Sequence, residues 1–111
     1  MTAFRLYLAA LLAVLVAYTL AVMATHGANL FPVFFGDIAR LAWPGQFNLD
    51  FMMLLSLSAL WTAWRGGFAP KAFGLAALAF IGGALFLTIY LLVLSARTDG
   101  DTRRMILGVH A

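Results

Sequence analysis

The chain has 111 residues, enough for one domain, and 65% of them are hydrophobic while only 10% are charged. Soluble domains carry about 25% charged residues, and a chain this short buries the smallest share of its surface, so the mean hydropathy of +1.01 points to lipid rather than water as the solvent. The absence of cysteine excludes disulfides, thiolate metal sites and cysteine nucleophiles, and the formal charge of +3 comes from seven scattered Lys and Arg residues, not from the clustered patch that nucleic acid requires.

In chain order, the first apolar run covers about residues 4–25 and holds no charge after Arg5. About 20 residues span a hydrocarbon core as a helix. Val22, Met23 and Ala24 would suit a signal peptidase, but the run exceeds the usual 7–15 residues of a signal core, so an uncleaved helix is expected.

The segment from His26 to Gln46 is too polar and too broken to span, with Gly27, Asn29, Pro32, Gly36, Pro44 and Gly45 as breakers. Its middle, about 30–43, reads as a short amphipathic helix lying in the membrane interface. Phe31, Phe34, Phe35, Ile38 and Leu41 share one side, Asp37 and Arg40 pair three apart on the other, and Trp43 closes it.

A second span is expected over about 47–64. Trp61 and Trp64 mark its far end as interfacial anchors together with Trp43, and Arg65 precedes the Gly66–Gly67 break. Pro70 is suited to start the next helix. The third span covers about 72–96 without an internal charge, and Gly82–Gly83 within it is a packing or kinking feature. A polar tail follows over 97–111. The fold class is therefore all-α: a single transmembrane domain of three membrane-spanning helices with one interfacial helix between the first two.

Three spans put the two termini on opposite sides. Arg5, Arg65 and Lys71 then face Arg40, Arg97, Arg103 and Arg104 across the membrane, a near tie under the positive-inside rule. The crowding of Arg65 and Lys71 in a short loop favours a cytoplasmic N-terminus.

Lipid gives apolar helices no hydrophobic reason to associate, so small residues that allow close approach do the work. Ala10, Ala13, Ala17 and Ala21 form one such seam, and Ala76, Ala79 and Gly83 form another. These seams would face each other or a second protein.

Asp50 is the one carboxylate near a spanning run, and an acid there is a candidate proton donor, cation ligand or relay. The competing reading makes Asn48 a helix N-cap, with Asp50 stabilising the first turn through the helix dipole. His26, His110 and Asp37 show no metal-ligand spacing. No phosphate loop, dinucleotide fingerprint or nucleophile elbow is present, so no cofactor is expected.

Leu30 to Phe35, then Phe47 to Asp50, then Leu60 to Arg65 form a recurring kind of pattern: a Phe-rich segment, an acid opening a helix, and an aromatic-basic helix end. It resembles a family of small three-helix bacterial membrane proteins classed as a domain of unknown function, itself distantly similar to membrane terpene cyclases. The resemblance implies residence in the inner membrane and makes Asp50 the position of a protonating acid.

Three functions are consistent with these residues. The leading one is a non-enzymatic accessory or scaffolding subunit that packs against partner membrane helices or its own copies. The second is a cyclase-like or lipid-binding protein that takes an apolar lipid or pigment beside Asp50. The third, a proton or ion pathway, has only Ser56, Ser58 and Thr62 to draw on.

Overall fold

The computed structural model describes residues 1–111, and all of its regular structure is helical. Five helices follow in order: α1 (Thr2–His26), α2 (Phe31–Ala39), α3 (Trp43–Arg65), α4 (Pro70–Arg97) and α5 (Thr102–Leu107), with a last 3-10 turn at Gly108–His110. Helices α2, α3 and α4 each carry a proline in the first turn, where its missing N–H costs nothing and its fixed φ suits the helix.

Two of the helices, α1 and α4, are long and apolar enough to cross a membrane. Helix α3 has 23 residues but carries Gln46, Asn48 and Asp50 in its first half. It starts at Trp43, not near residue 47, because Pro44 and Gly45 form its first turn and do not break the chain. Trp43 therefore opens α3 and does not close the preceding helix. The polar tail is itself partly helical: Asp101 accepts from the Arg104 backbone N–H and caps α5.

Helix α4 is not straight. Gly83 sits at φ 55, ψ −133, outside the helical region. On one side of it the chain runs antiparallel to α3, with Ala72 against Gly66 and Gly83 against Phe51 and Leu55. A straight continuation would carry Tyr90 roughly 10 Å further toward the start of α3, at 1.5 Å per residue. Instead the Tyr90 ring centroid lies 6.0 Å from that of Trp61, and its hydroxyl lies 3.4 Å from Arg65 Nη1. The chain has turned back. A descending limb (70–82) and a returning limb (84–97) form a helical hairpin with Gly83 at its tip.

Helix α1 runs along the returning limb. Arg5 Nε donates to Ser95 Oγ at 3.0 Å and Arg5 Nη2 to the Ser95 carbonyl at 2.8 Å, while Met1 packs on Gly100. Residues 1–5, the 66–69 loop and residues 98–111 thus gather at one end of the molecule. The α1–α2 connection and the α2–α3 corner lie at the other.

Only 13 of the 111 residues are buried, and most of them are small, with Leu8, Leu94 and Met105 the larger exceptions. Ala72, Ala76, Ala79 and Gly83 recur at three- and four-residue spacing on the face α4 turns to α3, where Thr62 and Ala63 are also buried. The two alanine seams do not meet. Ala10, Ala13, Ala17 and Ala21 are exposed, and the more enclosed positions of α1 are Phe4, Leu8, Leu12, Leu15 and Thr19. The buried hydroxyls of Thr62, Thr88, Ser95 and Thr98 each donate to a carbonyl three or four residues back, whereas the buried Ser58 Oγ has no partner.

Candidate functional site

Asp50 is the eighth residue of α3, beyond the first turn, so its carboxylate is not positioned to cap the helix. Asn48 is not the N-cap: that place belongs to Ala42, and the Asn48 side chain instead donates from Nδ2 to the Phe34 carbonyl at 3.1 Å, tying α2 to α3. Asp50 itself is exposed and has no hydrogen-bond or ion-pair partner. It is adjacent in sequence to Phe51, whose ring closes over Gly83. Two open clefts lie near this end. One of about 450 Å³ is lined by Ile38, Leu41, Trp43, Gly45, Gln46 and Leu49. The other, about 560 Å³, opens between Tyr18, Val22 and His26 of α1 and Leu30 and Val33. Asp50 lines neither.

Asp37 and Arg40 form the molecule's one ion pair, at 3.2 Å, with the arginine largely exposed. His26 Nδ1 lies 2.7 Å from Thr25 Oγ1 at the end of α1, while His110 is at the opposite end of the molecule. The two histidines do not share a side, and no three metal-ligating residues come together.

The densest polar constellation is one that composition did not single out. Arg65 closes α3 and reaches over the C-terminal segment: Nε donates to the Met105 carbonyl and Nη2 to the Arg104 carbonyl at 3.1 Å. Trp61 Nε1 donates to the Ile106 carbonyl at 3.1 Å. Three consecutive carbonyls at the end of α5 thus accept from side chains of α3, the Arg104 carbonyl also accepting from the Gly108 backbone N–H. Met105 is buried beneath. His110 stacks on Trp64, with centroids 4.1 Å apart and planes at 17°, and its Nε2 lies 2.9 Å from the Trp64 carbonyl, which makes the ring the donor. Trp61, Trp64 and Arg65, expected as interface anchors, act together here as a clasp on the tail, whereas Trp43 stands 73% exposed at the far end. No sequence periodicity announces such a contact, because its partners lie about 40 residues apart.

No family model matches the chain, and no curated protein or solved structure matches it either.

Proposed function

We propose that the chain is an integral membrane protein without a catalytic centre of its own, acting as an accessory or scaffolding subunit that presents apolar helix faces to partner helices in the bacterial inner membrane. α1, α3 and α4 supply three apolar segments for the bilayer, with α2 at its surface. The observation that carries this is α1: of its 25 residues, only Leu8 is buried. A helix that is apolar all round and exposed nearly all round is soluble only in lipid or against another protein. Its exposed alanines offer a partner helix the close approach that drives association where lipid supplies no hydrophobic force. Extraction in mild detergent followed by native mass spectrometry tests the reading. A partner or a second copy should be retained, and a bare monomer at every detergent ratio refutes it.

The placement of Asp50 favours one second reading. Freed from the helix-start role and from any partner, the carboxylate is available to an apolar ligand entering sideways from lipid, as the resemblance to membrane cyclases implies. Under that reading Asp50→Asn removes turnover of an isoprenoid substrate while the fold survives. Turnover that is unchanged removes Asp50 from the chemistry.

A further inference from the structure

We infer that the chain crosses the bilayer twice, through α1 and α3, and that α4 is a re-entrant hairpin which enters and leaves on the same, cytoplasmic, side. This rests on the membrane reading above and adds to it a topology that a straight α4 would not have.

Length argues first. The limbs at 70–82 and 84–97 are each roughly 20 Å long at 1.5 Å per residue, short of the ~30 Å hydrocarbon thickness. Helices α1 and α3, with 25 and 23 residues, are roughly 38 and 35 Å long from end to end, although only α1 of the two is apolar over that whole length. The hairpin tip reaches the level of Phe51 and Leu55 and stops there.

The break itself fits this depth. Irregular backbone is tolerated inside a bilayer only where protein covers it, and Gly83 is buried under the Phe51 and Leu55 side chains. The polar residues Gln46, Asn48 and Asp50 then fall toward the outer end of α3, near Trp43 and the wet interface.

Given the hairpin, charge decides the orientation. With α4 folded back, Arg5, Arg65, Lys71, Arg97, Arg103 and Arg104 all lie at one end, with Asp99 and Asp101 among them. The other end holds Arg40, already paired with Asp37, and Asp50. Six basic residues thus stand against one. Lys71, Arg97, Arg103 and Arg104 are exposed and have no carboxylate partner. Short flanks rich in Lys and Arg stay on the cytoplasmic side, where anionic headgroups attract each such charge by about 1 kcal/mol. The chemistry that matches this end is the anionic lipid surface of the inner leaflet.

The chain has no cysteine, so single cysteines report without interference. Thr2→Cys, Ala28→Cys, Ala69→Cys and Ala111→Cys, all at exposed positions, are each labelled with a membrane-impermeant maleimide in intact spheroplasts and in inverted vesicles. Positions 2, 69 and 111 should label only in inverted vesicles and position 28 only in spheroplasts. If position 111 follows position 28, α4 crosses fully and the hairpin topology is wrong. If the whole pattern inverts, the cytoplasmic assignment of the basic end is wrong. Carbonate washing of the same membranes separates these outcomes from failure of the membrane reading itself, which release of the chain into the supernatant would signal.

Discussion

Gly83→Ala is the substitution on which the hairpin turns. The backbone at φ 55, ψ −133 is one that only glycine adopts readily, and a residue held in such a region costs about 1–3 kcal/mol. The added Cβ would stand 3.0 Å from Phe51 Cζ and 3.3 Å from Leu55 Cδ2. Because the nearer atom is the far end of a side chain that has some room to shift, the crowding takes the low end of the overpacking range, about 1 kcal/mol. Alanine also favours an uninterrupted helix over glycine by about 1 kcal/mol. Together these favour a straight α4 over the hairpin by about 3–5 kcal/mol relative to the parent chain, a shift of more than a hundredfold in their ratio. Two assays read it. The midpoint of thermal unfolding in detergent should fall, and a cysteine at position 111 should become reachable from the outer side in a measurable fraction of molecules. Gly74→Ala is the control: it sits in the exposed, regular part of the descending limb with nothing within 4 Å of its Cβ position, and should be neutral or slightly stabilising. If Gly83→Ala matched Gly74→Ala in both assays, the tip would not depend on glycine and the reasoning would fail.

Three further outcomes follow from the same contacts. Arg65→Ala removes the guanidinium donors to the Met105 and Arg104 carbonyls and leaves Trp61 as the one side-chain donor to the end of α5; at about 2 kcal/mol for charged hydrogen bonds of this kind, trypsin should cut after Arg103 or Arg104 roughly 30-fold faster, and Arg65→Lys should restore only part of the protection because an ammonium lacks the fork. Ala79→Leu, at a fully buried contact between α4 and α3, should destabilise the chain by about 1–3 kcal/mol, whereas Ala13→Leu on exposed α1 should leave unfolding in detergent unchanged yet abolish partner retention; the reverse pattern would mean that the α1 seam packs internally. Asp50→Asn should alter stability by less than about 0.5 kcal/mol, since the carboxylate has no partner to lose, and a larger loss would reveal a structural role.

The helical character of the chain was legible because long apolar runs ending in glycine, proline or arginine leave few alternatives. The Asp37–Arg40 pair was legible for the same local reason, three residues being one turn. What failed was register and direction. Pro44 and Gly45 were expected as breakers, yet proline at a first helical turn is at home, and moving the start of α3 back to Trp43 carried Asp50 out of the dipole's reach. The inward face of α1 was not legible from small residues: a leucine stripe led by Leu8 faces the returning limb, leaving the alanines outside. The tail clasp was hidden because Arg65 and Met105 are brought together only by the fold.

Gly83 shows why the bend in α4 was only half legible. In an apolar run, Gly82–Gly83 reads equally as a packing notch or a bend, and none of the polar turn residues that mark hairpins in water is needed at a tip sealed by Phe51 and Leu55. Whether the helix continues is decided by contacts with α3 that lie about 30 residues away in sequence. The consequence is not local. A straight α4 sends Arg97, Arg103 and Arg104 to the side of Arg40 and produces a nearly even count of basic residues across the membrane. A folded one returns all three to Arg5, Arg65 and Lys71. Under the hairpin topology inferred above, the near tie in basic residues comes from assuming one backbone angle, and the same angle decides whether the number of crossings is odd or even.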